Sequence, residues 1–197
     1  DLLYHLTKTL DPTRPVIGND GWESVATDII GIHDYDDQPE RLIVRYGSED
    51  RSIARLAERE RPGGRLLVLE PGEPPTRPVM LTEFGGIACA RDSSTWGYSR
   101  ARSAEELAER YAALLSAVRS LTIFSGFCYT QFADTYQEAN GLLYADRRPK
   151  FPLEEMALAT EGPGRGRQRR VEARWRERLM QMQLNQYRDP PQDHRIL

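Results

Sequence analysis

Apolar residues recur along this chain with two distinct periods. Leucines at positions 2, 3, 6 and 10 fall at helical spacing, and Asp11-Pro12 closes the run because proline cannot continue a helix. This helix is expected to begin upstream of Asp1. Four short runs lack the helical period: Pro15–Gly18, Asp28–His33, Val79–Thr82 and Ile123–Tyr129. They are apolar without alternation, which predicts strands buried on both faces of a parallel sheet. Polar and aromatic residues follow each of them: Asn19-Asp20-Gly21-Trp22, Asp34-Tyr35-Asp36, Glu83-Phe84-Gly85-Gly86 and Thr130-Gln131-Phe132.

Helical signals lie between these runs. Ser103-Ala104-Glu105-Glu106 opens an amphipathic helix with Leu107, Tyr111, Leu114, Leu115 and Val118 on one face. Residues 48–61 have helical character, with Ser48 or Asp50 as the cap and Gly63-Gly64 as the stop. Residues 66–69 read as a short extended segment, and a last helix is expected near residues 152–159. The order is helix, strand, strand, helix, strand, helix, strand, helix, an α/β pattern. In a (β/α)8 barrel the C-terminal strand ends form the active face. Four strands are half of such a barrel and cannot close one.

Composition narrows the picture. Hydrophobic residues make up 39% of the 197 residues, enough for a packed core. The net charge of −3 implies no polyanionic partner, so no nucleic acid is expected. Residues 1–160 carry 18 Lys and Arg against 25 acids, whereas residues 161–197 carry 9 Arg against 5 acids. Residues 1–160 therefore read as one unit and residues 161–197 as an Arg-rich tail, with a linker at GPGRGRQRR and a charged helix over 171–187. Cys89 and Cys128 lack metal-site spacing and read as buried free thiols. No apolar run approaches a membrane span of about 20 residues, and no membrane partner is expected. The first ten residues lack a signal-peptide pattern.

Thr82-Glu83-Phe84-Gly85-Gly86 carries the candidate chemistry. A carboxylate directly after an apolar strand sits at the sheet's functional edge on a rigid element, and the glycines admit close approach of other groups. Glycoside hydrolysis needs two carboxylates about the scissile bond, one of which attacks the sugar in retaining enzymes. Around Glu83, five segments resemble glycoside hydrolase family 2, the family of β-galactosidases, β-glucuronidases and β-mannosidases. They are LTKTLDPTRPVIGNDGWE (6–23), DIIGIHDYD (28–36), PVMLTEFGGIA (78–88), WGY (96–98) and GFCYTQFADTYQEANGLLYADRRPK (126–150). They stand in the family's order and cover most of residues 1–156.

The resemblance implies strands five to eight of the family's catalytic barrel, with Glu83 as nucleophile and Tyr35 as the tyrosine that hydrogen-bonds it. His33 is then a contact to sugar or to neighbouring carboxylates, or a structural histidine. Asn19 and Trp22 become sugar-contact candidates at the first strand mouth. Trp96 is a candidate sugar platform on the loop after Glu83. Tyr129 and Gln131 take the last strand end, where many family members carry a tryptophan beneath the sugar, and Tyr129 is the candidate to supply that stacking face. Asp146, Arg147 and Lys150 are read as structural ion pairing.

Two departures matter. Family β-glucuronidases carry an Asn-x-Lys pair that grips the substrate carboxylate, where this chain has Glu138-Ala139-Asn140. A neutral sugar is therefore expected, with galactose first. The family's acid/base glutamate follows an asparagine, and no Asn-Glu pair occurs in this sequence. The expected function is a retaining exo-β-glycosidase of which this chain is the C-terminal half-barrel, inactive alone. The alternative is a non-catalytic half-barrel that binds sugar or a complementary half. The resemblance implies a carbohydrate substrate and a chemistry that needs no metal or organic cofactor; some family members bind Mg²⁺ or Na⁺, and this sequence shows no ligand set for one. A homo-oligomer is open for the complete protein, and the compartment is left unknown, with the cytoplasm favoured.

Overall fold

A computed structural model of the chain describes residues 1–47, 59, 63–69, 77–90, 92 and 94–163. The chain divides into two compact units, residues 1–160 and 161–197. Apart from Arg59 and residues 161–163, the helix expected over 48–61 and the whole Arg-rich tail lie outside the described residues.

Nine elements are described: α1 (Leu2–Leu10), β1 (Ile30–Asp34), α2 (Pro39–Tyr46), β2 (Val79–Gly85), β3 (Ile87–Ala88), β4 (Ser99–Arg100), α3 (Ala104–Ser120), β5 (Phe124–Thr130) and α4 (Leu153–Glu161). Strands β1, β2 and β5 form one parallel sheet with β2 in the centre. Strands β3 and β4 form a separate two-residue parallel ladder. The result is a mixed α/β fold around a parallel sheet.

Three of the four expected strands are present among the described residues. Pro15–Gly18 is not a strand. The Val16 N–H donates to Asp28 Oδ2 at 2.9 Å, and its carbonyl accepts from the Asp28 N–H at 2.8 Å. Both backbone groups are thus taken by the loop that leads into β1. The sequence pattern does not announce α2. Pro39 stands at its first turn, where the missing N–H costs nothing, and Leu42 and Tyr46 bury one stripe.

Helix α3 follows its expected pattern. The Ser103 hydroxyl accepts from the Glu106 N–H at 3.2 Å, while Glu106 Oε2 accepts from the Arg102 N–H at 2.9 Å. This reciprocal arrangement satisfies two donors at the helix start. Leu107, Tyr111, Leu114, Leu115 and Val118 are all buried. Each large apolar side chain so buried contributes about 1.5–3 kcal/mol relative to exposure.

Helix α1 behaves differently, because none of its residues is buried and Leu2, Leu3, Leu6 and Leu10 are exposed. It is tied down by polar contacts instead. The Tyr4 hydroxyl donates to Asp28 Oδ1 at 2.6 Å, and Lys8 Nζ lies 3.0 Å from Asp28 Oδ2.

The register of β2 decides which side chains face which way. Between Leu81 and Phe84, β2 has two residues where β1 has only His33 and β5 only Cys128. Such a bulge shifts the alternation by one. Val79 and Leu81 face the core, and a regular strand would send residue 83 there too. With the extra residue, Phe84 takes the core position and is fully buried, while Glu83 turns to the other face. Cys128 opposes the bulge and is exposed, which corrects the expectation of two buried thiols. Cys89 is buried as expected.

Candidate active site

Glu83 stands on the central strand, held at its carboxylate by two neighbours from β1 and the residue beyond it. The Tyr35 hydroxyl donates to Glu83 Oε2 at 2.6 Å. His33 Nδ1 lies 3.2 Å from the same oxygen. Among the described residues no donor reaches Oε1. One carboxylate oxygen is therefore oriented and the other is open. The Glu83 side chain is 38% exposed, so it is both fixed and reachable.

Tyr35 is the natural donor of this pair. Burial, and then its bond to Glu83, push the phenol well above the ordinary tyrosine value, opposed by a hydrogen bond from Thr130. The phenol stays protonated throughout the neutral range and can only donate to the carboxylate. Its ring stacks on Tyr98 with centroids 3.4 Å apart and planes within 7°.

His33 sits between two carboxylates. Its Nε2 lies 3.3 Å from Asp20 Oδ2, near enough for attraction to a protonated ring but without the alignment of a hydrogen bond. Asp20 is held from the other side by the Thr82 hydroxyl at 2.6 Å. A neutral imidazole can donate to one carboxylate at most, whereas a protonated one can serve both. Trp22 meets His33 edge to face at 4.9 Å, and Arg65 covers the Trp22 ring at 5.1 Å. Gly21 permits this packing, since a Cβ there would lie 2.5 Å from the imidazole.

The strand end also faces backwards. His33 and Tyr35 turn towards Glu83, while Asp34 and Asp36 alternate to the helix side. There Arg45 of α2 lies 2.6 Å from Asp34 and 3.1 Å from Asp36, and the Tyr46 hydroxyl donates to Asp34 at 2.7 Å. Sequence reasoning missed this cluster. Its signal is the alternation of His-Asp-Tyr-Asp followed by an arginine one helix later.

The other expected site residues divide. Asn19 gives its side-chain N–H to the Trp22 carbonyl at 2.7 Å and braces its own loop. Gln131 gives its amide to Asn140 Oδ1 at 2.7 Å and Glu138 Oε2 at 3.0 Å, closing the 131–140 loop. Trp96 is 43% exposed and meets Tyr98 edge to face at 5.7 Å.

Tyr129 requires a correction. It pairs in register with Phe84, and neighbours across a sheet point to the same face. Its ring packs edge to face on Phe84 and on Tyr111 of α3, at 5.5 and 4.9 Å. It therefore lies on the core side, opposite Glu83, and gives no stacking face there. Gly85 makes room for it, at φ +86°, since a Cβ would lie 2.1 Å from the ring.

In the last loop Asp146 and Lys150 are ion-paired as expected, and Arg147 meets a ring instead. Asp146 pairs with Arg148 at 2.7 Å, Arg147 lies over the Phe132 ring, and buried Lys150 pairs with Asp134 at 2.8 Å. Among the described residues no three His, Cys, Asp or Glu side chains gather to hold a metal ion, and no helix is long and apolar enough to cross a membrane.

No protein-family model and no curated protein matches the sequence. Solved structures do match. A GH2 β-galacturonidase from Eisenbergiella tayi bound to glycerol aligns with a TM-score of 0.53 at 20% identity, over 82% of this chain and 29% of that one. The likeness is one of fold. Faecalibacterium prausnitzii β-glucuronidase aligns at 0.48 and 20% identity, over 81% of this chain and 27% of that chain. A Bifidobacterium dentium β-glucuronidase complexed with coumarin-3-O-glucuronide aligns at 0.48 and 21% identity, over 83% and 26%. This chain thus spans less than a third of each of these proteins.

Proposed function

We propose that Glu83 is the nucleophile of a retaining β-glycosidase and that the three-stranded sheet is part of its (β/α)8 barrel. The observation that carries this reading is the 2.6 Å bond from the Tyr35 phenol to Glu83 at the end of the central parallel strand. The fold likeness to a galacturonidase at a TM-score of 0.53 supports it. In the reaction, the free Glu83 oxygen bonds to the anomeric carbon as the bond to the leaving oxygen breaks. A second carboxylic acid supplies the proton to that oxygen, and later a carboxylate activates water. The asparagine-preceded glutamate of the family pattern, which would fill this role, is not in this sequence.

The reading extends to a neutral sugar, galactose first. The cations of the last loop are already engaged: Lys150 with Asp134, Arg148 with Asp146, Arg147 over Phe132. With Lys150 and Arg148 already paired with acids, this loop favours a neutral sugar over a uronate, although the Eisenbergiella tayi neighbour is a β-galacturonidase. Trp96, Trp22 and His33 remain the sugar-contact candidates.

The test exploits a leaving group that needs no acid. The purified chain is incubated with 2-deoxy-2-fluoro-β-glycosyl fluorides of the galacto, gluco, glucurono and galacturono series. Glu83 then forms its bond to the anomeric carbon as fluoride departs, and the mass rises by one glycosyl unit. A galactosyl adduct that maps to Glu83 and vanishes in Glu83→Gln is the expected result. Absence of any adduct overturns the nucleophile assignment, and preferential labelling by a uronyl fluoride overturns the neutral-sugar choice. No turnover of an ordinary alkyl glycoside is expected from the chain alone.

A second reading, a sugar-binding module without chemistry, is favoured by the state of Asp20. It is the carboxylate that His33 links to Glu83, and it is already held by Thr82. Saturable galactose binding without labelling would select it.

A further inference from the structure

We propose that Tyr98 is a positioning residue for Glu83, holding the Tyr35 ring so that its phenol stays aimed at the carboxylate. Tyr35 lies one residue beyond the end of β1, so no sheet ladder holds its backbone. Its ring must be fixed by what packs on it. Tyr98 covers one face at 3.4 Å, within 7° of parallel. This contact confines the ring to the plane in which its hydroxyl reaches Glu83 Oε2.

Tyr98 is itself well anchored. Its N–H donates to the Gly86 carbonyl at 2.9 Å. The next two residues form β4, which pairs with β3 directly after the Glu83 strand. Arg110 of α3 donates to Ser99 Oγ at 2.8 Å and to the Arg100 carbonyl at 2.9 Å. Gly86 completes the fit. A Cβ there would lie 2.5 Å from Tyr98 and 3.1 Å from Tyr35, and its φ is +59°, so glycine alone lets both rings close over the backbone. The same short segment thus carries the carboxylate and the floor beneath the stack.

Tyr98 is 52% exposed, an unusual placement for a ring whose only service is core burial. Its role is explained by what it covers. The groups facing Tyr35 are Glu83 from β2, the Thr130 hydroxyl from β5, the Tyr98 phenol, and His33 through the shared carboxylate. Removing Tyr98 uncovers the ring face on which it stacks.

The stacking stands by itself, and its catalytic meaning rests on the reading of Glu83 as nucleophile. The experiment keeps the two apart. The full chain and its Tyr98→Phe, Tyr98→Leu and Tyr98→Ala variants are prepared with tyrosine labelled by 13C at Cζ. The Tyr35 resonance is identified by its loss in Tyr35→Phe. In the wild type and Tyr98→Phe, Tyr35 is expected to stay protonated where exposed tyrosines titrate, near pH 10. In Tyr98→Leu and Tyr98→Ala its titration is expected to begin about one pH unit or more lower than in the wild type. Labelling of Glu83 by the galactosyl fluoride should fall about tenfold in those two variants and stay within about twofold in Tyr98→Phe.

An unchanged Tyr35 titration in folded Tyr98→Ala or Tyr98→Leu overturns the proposal, because a merely structural residue would lower stability and leave that titration in place. Tyr98→Leu keeps the apolar volume and carries the comparison if Tyr98→Ala does not fold. If the wild type is never labelled, the nucleophile reading falls and the titration alone decides the role of Tyr98.

Discussion

Arg45 Nη1 lies 2.6 Å from Asp34 Oδ2 behind the strand end that aims His33 and Tyr35 at Glu83. The Asp34 side chain is fully buried, and Arg45 is nearly so. This pair joins β1 to α2 at the point where the chain leaves the sheet. The orientation of the site therefore depends on a contact made on the opposite face.

Breaking one half of that pair should be costly. Arg45→Ala leaves Asp34 buried without its cation, for which a loss of about 3–5 kcal/mol is expected. The double variant Asp34→Asn, Arg45→Met should recover part of that loss, since the Asp34 charge leaves with its cation, while Asp36, also paired with Arg45, keeps Arg41 at 3.7 Å. Urea unfolding of the wild type, the single variants and the double variant measures this coupling. Equal, additive losses would show that the two residues act independently.

Tyr35→Phe removes the hydroxyl that orients Glu83 and keeps the ring that stacks on Tyr98. A hydrogen bond to a charged group is worth about 1.5–3 kcal/mol, so labelling of Glu83 by an activated glycosyl fluoride should slow by roughly 10- to 100-fold. The midpoint of thermal unfolding should change little. A labelling rate equal to the wild type would remove Tyr35 from the chemistry.

Acid should release α1. The Tyr4 hydroxyl, the Val16 N–H and Lys8 together lower the Asp28 carboxyl from 3.8 to about 2. A carboxylate depressed on folding contributes stability that is fully present above its unfolded value. That contribution is lost as pH falls from 3.8 through about 2. Amide exchange in α1 and the adjoining loop should rise over that window in the wild type. In Asp28→Asn the same exchange should already be fast at neutral pH, with no acid step.

Of the two thiols, Cys128 should react quickly with an aromatic disulfide reagent and Cys89 slowly. Cys128 is exposed opposite the bulge, whereas burial raises the Cys89 thiol above its ordinary value and restricts access to it. A single fast equivalent that disappears in Cys128→Ser is the expected result. Two fast equivalents would place Cys89 outside the core.

Much of the scaffold is legible in local patterns of residues. Ile30 and Ile32, Val79 and Leu81, and Phe124 with Phe127 lie in runs whose apolar continuity predicts buried parallel strands, and all three runs are strands of the sheet. Ser103, Glu106 and the apolar stripe from Leu107 to Val118 predict α3, because capping and 3.6-residue periodicity are local properties. Pro15–Gly18 carries the same apolar signal and is not a strand, since Asp28 binds its backbone. Helix α2 escapes such patterns because its amphipathic stripe is only two residues, Leu42 and Tyr46.

The site divides along the same line. A glutamate after an apolar strand marks Glu83, and its pairing with Tyr35 comes from a family resemblance that the 2.6 Å contact matches in geometry. Simple alternation along β2 would put Glu83 on the core face with Val79 and Leu81. The bulge between Leu81 and Phe84 reverses that, and bulges are set by pairing with strands far away in sequence. The same register sends Tyr129 into the core beside Phe84, against the reading of it as a sugar platform.

Sequence by itself determined the three strands of the parallel sheet, helices α1, α3 and α4, and which residue types stand at the strand ends, because period, caps and turn residues act over a few positions. Only the tertiary structure decided which face each strand end presents, that His33 lies between Asp20 and Glu83, and that Tyr98 closes over Tyr35. Those outcomes depend on register and packing between residues distant in sequence, 48 positions for Tyr35 and Glu83, and periodicity alone does not encode them.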